Sequence, residues 1–217
     1  MHTRILSIDS PSAQQTALRL LQNGSVIVVP TDTVYGVTCL YDKHEAIEQL
    51  FEVKQRPLHK AIPVLIGEQD QISRIVATPL SPTATLLAER FWPGPLTLIL
   101  PARAELSPEL TAGGTTVGVR MPDHDTLRSL MQRAGPLAAT SANRSGEPEA
   151  CSAQEALDQL GNQIPLILSD DESTTSPHRP LASTVVDVSG ECPAIVRMGP
   201  IAVEVTDLLS RAGHLPC

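Results

Sequence analysis

The sequence has few aromatic residues, no CxxC pair and no long apolar run. Its 217 residues include two tyrosines, two phenylalanines and one tryptophan, so the core must be aliphatic, and stacking of aromatic rings on nucleic-acid bases is not expected to be a main mode of action. The four cysteines are scattered without a CxxC pair, which is typical of free thiols in a reducing compartment. The N-terminal apolar run is too short for a signal peptide, and no stretch reaches transmembrane length. These absences predict a cytoplasmic protein.

Common catalytic and nucleotide-binding motifs are also missing. The chain has no GxxxxGK[ST] or GxSxG motif, and "GGTTVG" at 113–118 does not match GxGxxG. The chain also has no HExxH motif and no Cys/His cluster of the kind that binds a metal. A net charge of -8 leaves only a local basic cleft for binding nucleic acid. Any nucleotide site must therefore use another arrangement.

Short apolar runs alternate with helical patterns along the chain. Strands are predicted at 4–8, 25–30, 62–66, 96–101, 117–121, 136–140, 165–169, 183–188 and 194–198. Helices are predicted at 12–23, 43–53, 69–77, 81–91, 123–133, 152–160 and 201–211, with Asp42 capping the second and Gly24 following the first. This alternation indicates one α/β (α+β) domain with a mixed parallel and antiparallel sheet, because the last two strands are too close for a crossover helix.

Two polar stretches follow the ends of early elements. "PTDTVYGV" at 30–37 offers Thr31, Asp32 and Thr33 at the end of a strand, where open sheets bind ligands, although an ordinary turn is the simpler explanation when the stretch is taken alone. "KQRPLHK" at 54–60 has Lys54 and Arg56 at a helix C-terminus, where cations complement the dipole. Lys60 lies beyond the proline and is not explained in this way. Convergence of the three cations on a polyphosphate would explain all of them.

Two further stretches follow or interrupt later strands. "ATSANRSGEP" at 139–148 presents hydroxyl, amide and backbone N–H groups suited to a phosphate or a ribose, or forms an ordinary polar loop. In "VGVRMPDH" at 117–124, Arg120 lies within an apolar strand. If it is buried it needs an anionic partner, whereas alternation along the strand would also allow it to face solvent.

Taken together and in this order, these stretches resemble the YrdC/TsaC family over roughly residues 12–200. The matching motifs are "PTDTVYG" at 30–36, "KQRP" at 54–57 followed by Lys60, "FWPGPLT" at 91–97, "VGVRMP" at 117–122, "TSANRSG" at 140–146, "STVVD" at 183–187 and "VRMG" at 196–199.

The resemblance implies a nucleotidyltransferase, L-threonylcarbamoyladenylate synthase. It would convert L-threonine, bicarbonate or CO2, and ATP with Mg²⁺ into threonylcarbamoyl-AMP and pyrophosphate. A partner complex would then transfer the threonylcarbamoyl group to an adenosine of tRNAs that read ANN codons. The implied fold is a twisted mixed sheet with flanking helices and a large concave cleft. No dedicated metal ligands are expected, since phosphates and water would hold most of the Mg²⁺.

The resemblance also implies two sets of site residues. The ATP set, of which the first three would be catalytic, is Lys54, Arg56, Lys60, Ser141, Asn143 and Arg197. The threonine set is Thr31, Thr33, Tyr35, Arg120 and Ser183.

The chain departs from the family at two places. Leu65 stands near where many relatives have a histidine, and the loop at 169–182 has no glycine. Two-domain relatives add a C-terminal domain after a linker, and this sequence ends about where their catalytic domain stops, so residues 1–217 are expected to resemble the short, stand-alone type. An RNA-binding module and a paralogue without synthase activity are the alternatives, and salt-dependent RNA binding without ATP turnover would favour the first.

Overall fold

The computed structural model describes residues 2–170 and 181–213. The strands are β1 (Arg4–Ser7), β2 (Ile27–Val29), β3 (Gly36–Leu40), β4 (Val64–Leu65), β5 (Leu96–Pro101), β6 (Thr116–Arg120), β7 (Leu137–Ser141), β8 (Leu166–Ser169), β9 (Thr184–Asp187) and β10 (Ala194–Arg197). The helices are α1 (Pro11–Gln22), α2 (His44–Lys54), α3 (Pro82–Phe91), α4 (Pro108–Thr111), α5 (Asp125–Ala134), α6 (Ala153–Leu160) and α7 (Ala202–Arg211).

The ten described strands form one open sheet in the order β1-β8-β2-β3-β7-β4-β6-β5-β9-β10. Parallel pairs join β8 to β1 and β2, β4 to β6, and β5 to β9. The other neighbours are antiparallel, including the closely spaced β9 and β10. The prediction of a mixed sheet with flanking helices is confirmed.

Helices cover both faces of this sheet. Along β2, Val28 belongs to a large hydrophobic cluster that includes residues of α2, α3, α6 and α7, whereas Ile27 and Val29 belong to a second cluster with residues of α1 and α5. Successive residues of a strand point to opposite faces. A strand buried on both faces therefore reads as a continuous apolar run, which is why "IVV" shows no alternation.

Several sequence-based predictions need correction. Residues 69–77 were expected to be a helix, but a 3-10 helix covers Gln69–Arg74. Lys43, not Asp42, is the N-cap residue of α2, and no side-chain hydrogen bond caps that helix. Gly24 does follow α1 with a positive φ of 77°, as expected for a residue beyond a helix end.

The strand β3 and the short helix α4 were not predicted. β3 is buried throughout but contains Thr38, whose Oγ1 donates a hydrogen bond to the carbonyl of Ala138 at 2.8 Å. That bond satisfies a polar side chain inside the sheet, so the strand carries no simple apolar pattern.

The cysteines are only partly free. Cys39 and Cys151 form no disulfide, as predicted, but Cys192 is disulfide-bonded, so the prediction for that residue is wrong. Most of the predicted loop at 169–182 lies outside the described residues. Within the described ranges, no helix is both long enough and apolar enough to cross a membrane.

Candidate active site

A cavity of about 320 Å³ lies against the sheet, at the lower end of the size range of small-molecule sites. Its walls come from the β2–β3 turn, the segment after α2, and strands β4, β5, β6, β7, β9 and β10. Eight of the predicted site residues line it: Thr31, Thr33, Tyr35, Arg56, Arg120, Ser141, Ser183 and Arg197. Lys54, Lys60 and Asn143 do not.

Arg120, at the end of β6, is buried, so the alternative that it faces solvent is wrong. Its Nε donates to the carbonyl of Gly94 at 3.0 Å, its Nη1 donates to Thr33 Oγ1 at 2.7 Å, and its Nη2 pairs with the carboxylate of Asp32. Burial lowers the pKa of Arg120, and the charge of Asp32 opposes that shift. These bonds use three of the five guanidinium N–H groups. The other two form no hydrogen bond within the described residues.

The turn between β2 and β3 is held by its own threonines. Thr31 Oγ1 donates to the carbonyl of Val34 at 2.8 Å, accepts from the Thr33 amide at 3.1 Å, and lies 3.0 Å from Thr33 Oγ1. Tyr35 is buried, and its hydroxyl accepts a hydrogen bond from the amide of Asp170 at 3.1 Å. The stretch is therefore a side-chain-bonded turn and a wall of the cavity at once.

Lys54, the last residue of α2, is turned inward and is only 2% exposed. Its Nζ lies 2.5 Å from the carbonyl and 3.3 Å from Oγ of Ser141, and 2.9 Å from the carbonyl and 2.8 Å from Oδ1 of Asn143. Burial, together with the nearby charge of Arg56, lowers the pKa of Lys54 to about 7. Lys54 thus joins α2 to the loop after β7.

Arg56 points into the cavity and also holds the turn that follows it. Its Nε donates to the carbonyl of Lys60 at 3.1 Å, and its Nη2 donates to the carbonyl of Ala61 at 2.7 Å. Burial lowers the pKa of Arg56. The side chain of Lys60 is exposed, so the structure brings Arg56 to the cavity without Lys60.

Arg197, in β10, meets Ser183 directly. Its Nε donates to the carbonyl of Ser183 at 3.0 Å, its Nη2 donates to Ser183 Oγ at 3.0 Å, and Ser183 Oγ lies 2.8 Å from Thr97 Oγ1. Burial lowers the pKa of Arg197, whereas the charge of Glu149 raises it. Arg197, which is predicted to bind the nucleotide, therefore lies on the same wall of the cavity as Ser183, which is predicted to bind threonine.

The side chain of Asn143 forms hydrogen bonds with Lys54 and with the backbone of its own loop. Its Oδ1 accepts from Lys54, and its Nδ2 donates to the carbonyls of Arg144 at 3.0 Å and Glu147 at 2.6 Å. Asn143 is 5% exposed. Its contacts are those of a residue that shapes the loop carrying Ser141.

Several residues that line the cavity were not predicted. Leu65, which was noted only as a departure, forms part of an apolar wall with Ala61, Pro63, Ile99 and Val185. Thr97 belongs to the motif "FWPGPLT", but it was not among the predicted site residues. Glu149 also lines the cavity. It lies three residues beyond "TSANRSG", and no motif marked it.

A family model described as telomere recombination, for Sua5, YciO and YrdC proteins, matches residues 19–199. The threonylcarbamoyl-AMP synthase of Bacillus subtilis is 36% identical over 92% of this chain and 56% of its own length. A putative threonylcarbamoyl-AMP synthase of Mycobacterium tuberculosis is 33% identical over 87% of this chain and 85% of its own.

The structure of Pyrococcus abyssi Sua5 complexed with L-threonine superposes with a TM-score of 0.88. The two sequences are 29% identical, and the match covers 100% of this chain and 62% of that one. The chain thus spans little more than half of the length of the Bacillus subtilis relative and of the Pyrococcus protein.

Proposed function

The chain belongs to the Sua5/YciO/YrdC family, and from that premise we propose that it is an L-threonylcarbamoyladenylate synthase. In the proposed reaction, L-threonine, bicarbonate or CO2, and ATP give threonylcarbamoyl-AMP and pyrophosphate. A partner complex would transfer the threonylcarbamoyl group to an adenosine of tRNAs that read ANN codons. We further propose that residues 1–217 act as one catalytic domain, and that the protein works in the cytoplasm, where the tRNAs would be modified.

One observation carries this proposal: three arginines line a single cavity. Arg120, with Thr33 and Asp32, lies at one wall, and Arg56 and Arg197 lie at others. An amino acid and a nucleotide each bring an anionic group, so a site that joins them must hold two anions in one place. Arginine suits both, because its planar N–H groups match carboxylate and phosphate geometry.

The proposed chemistry needs positioning and charge stabilisation more than covalent help. The amine of threonine adds to CO2 and loses a proton, which gives a carbamate. A carbamate oxygen then attacks the α-phosphorus of ATP as the bond to pyrophosphate breaks. Negative charge builds on the phosphoryl oxygens during that step, where fixed donors stabilise it.

We assign Arg56, Ser141 and Arg197 to the phosphates or ribose of ATP through direct contact. Lys54 and Asn143 would act by holding the loop that carries Ser141, since their polar atoms are engaged within that loop. The exposed side chain of Lys60 would reach the triphosphate from outside the cavity.

Arg120 would pair with the carboxylate of threonine through its two remaining N–H groups. Thr31, Thr33, Tyr35 and Ser183 would complete that subsite, since all four line the cavity.

Mg²⁺ is expected as the counter-ion of ATP. The described residues include no group of three or more side chains able to form a metal cage. Mg²⁺ usually binds through phosphates, several waters and one or two carboxylates, so a site that lacks such a cage still fits it.

The test is to incubate the purified protein with ATP, L-threonine and bicarbonate. We expect threonylcarbamoyl-AMP by mass spectrometry and pyrophosphate release that requires threonine. Absence of both would contradict the proposed function, and salt-dependent RNA binding without turnover would favour an RNA-binding module.

Arg56→Ala tests the phosphate assignment. Loss of a fixed cationic donor should lower threonine-dependent pyrophosphate release by about 10²- to 10³-fold, with an unchanged circular dichroism spectrum. Arg133→Ala is the control, because Arg133 is exposed on α5 and lies outside the cavity lining. Full activity of Arg56→Ala would contradict the assignment.

A further inference from the structure

A carboxylate lies among the cations of the cavity. Glu149 lines it together with Arg56 and Arg197, and it follows the loop whose first residues hold Lys54. An anion at this place would also act on a bound phosphate, because like charges in one cleft repel each other and weaken binding.

The backbone around Glu149 is fixed on both sides. The carbonyl of Pro148 accepts a hydrogen bond from Gln159 Nε2 at 2.9 Å, and the carbonyl of Ala150 accepts one from the Tyr35 amide at 2.9 Å. Gln159 belongs to α6, and Tyr35 belongs to the turn before β3. Two separate elements therefore set the position of Glu149, which makes its place in the cavity wall a feature of the fold.

The carboxylate also acts on the cations assigned to the nucleotide. Its negative charge raises the pKa of both Lys54 and Arg197, against the lowering caused by burial. Asp32, another acid of this region, is paired with Arg120 at the amino-acid subsite. Of these two acids, Glu149 is therefore the one whose charge acts on Lys54 and Arg197.

A divalent cation between Glu149 and the phosphates would convert the repulsion into attraction. Mg²⁺ at nucleotide sites is commonly held by one or two carboxylates together with phosphate oxygens and water. We propose that Glu149 is the protein ligand of the Mg²⁺ that accompanies the nucleotide. This inference rests on the proposed function, because it requires that ATP bind in this cavity.

The test compares nucleotide binding with and without the metal. A non-hydrolysable ATP analogue is titrated into the wild type and Glu149→Gln by calorimetry, in Mg²⁺ and in EDTA. We expect Mg²⁺ to tighten binding to the wild type. In Glu149→Gln that enhancement should fall by about 10- to 100-fold, as for loss of a metal-site interaction, while binding of the metal-free analogue stays equal or improves.

Two variants serve as controls. Glu147→Gln makes the same change at an exposed position of the same loop and should retain the enhancement. Glu149→Asp keeps the carboxylate and should retain part of it. Electron paramagnetic resonance of Mn²⁺ with the analogue gives a second readout, because its signal should change in Glu149→Gln but not in Glu147→Gln.

Three results would count against the inference. An unchanged Mg²⁺ enhancement in Glu149→Gln would overturn it. A higher KM for threonine with unchanged metal dependence would also overturn it and would assign Glu149 to the substrate ammonium instead. If the wild type binds the analogue under neither condition, the proposed function itself fails and this inference fails with it.

Discussion

The charge of Lys54 should make the stability of the protein depend on pH in a way that one substitution removes. Lys54 is 2% exposed, and burial lowers its pKa from 10.5 to about 7. In the unfolded chain the lysine keeps its usual pKa, so the unfolded state binds more protons between pH 7 and 10.5. The contribution of Lys54 to the free energy of unfolding therefore rises with pH across that window.

The size of the effect follows from the two pKa values. Each pH unit within the window contributes up to about 1.4 kcal/mol. Integrated from pH 7.5 to 9.5, with the curvature at each end included, the wild type gains about 2.5 kcal/mol relative to a variant without this lysine. Lys54→Met is suitable, because methionine keeps an unbranched apolar stem and does not titrate.

The assay is urea unfolding of the wild type and Lys54→Met at several pH values between 7.5 and 9.5. The difference in their free energies of unfolding cancels the other titrating groups. Lys43→Met is the control, since Lys43 is an exposed lysine at the other end of α2. A difference that does not change with pH would refute the reasoning. It would mean that the four oxygens around Nζ keep Lys54 charged despite its burial.

Two further substitutions test the walls of the cavity. Arg120→Met leaves the carboxylate of Asp32, which is 14% exposed, without its cation, and should lower the free energy of unfolding in urea by about 3–5 kcal/mol. Adding Asp32→Asn should restore most of that stability but not threonine binding. A loss below about 1 kcal/mol in the single variant would contradict the stabilising role of the ion pair. Gly199→Ala would place a Cβ atom 2.3 Å from the amide nitrogen of Thr184 and should lower stability by about 2–3 kcal/mol. The control Gly190→Ala meets no atom within 4 Å, so equal melting temperatures for the two alanine variants would be evidence against the clash.

Periodicity predicted most of the fold because most elements bury one face or both. β5 was predicted with the bounds it has, since "LTLILP" is apolar and lies between helix and turn signals. β3 could not be predicted in the same way. Its buried Thr38 is satisfied by the carbonyl of Ala138, which lies 100 residues away in the chain. No local pattern reports such a partner.

Arg120 shows the same limit in the candidate site. The sequence places Arg120 in a strand but does not decide whether its side chain faces the interior or the solvent. The choice depends on Asp32, which is 88 residues away and reaches Arg120 only when the β2–β3 turn folds back over β6. The family resemblance implied a role for Arg120, but only the fold shows that its guanidinium is already paired with the carboxylate of Asp32.

Two of the family motifs, Lys-x-Arg at 54–56 and Ser-x-Asn at 141–143, each divide two tasks between residues two positions apart. Gln55 has a left-handed backbone with φ 52°, so the chain turns sharply between Lys54 and Arg56. Lys54 points back into the loop after β7, whereas Arg56 points into the cavity. In an unbroken helix, residues two apart would point about 200° apart around one axis. Lys54 and Arg56 could then not both reach the end of β7, as they do here at Ser141 and Thr140.

The Ser-x-Asn motif is arranged in the same manner. Ser141 ends β7 and lines the cavity, while Asn143 bonds to the backbone of its own loop and to Lys54. Loss of Arg56 or Ser141 should therefore remove a contact to substrate. Loss of Lys54 or Asn143 should instead loosen the loop that presents Ser141. Lys54 links the two motifs because it bonds to both Ser141 and Asn143. In each motif one residue faces the cavity, and the other holds the backbone that positions it.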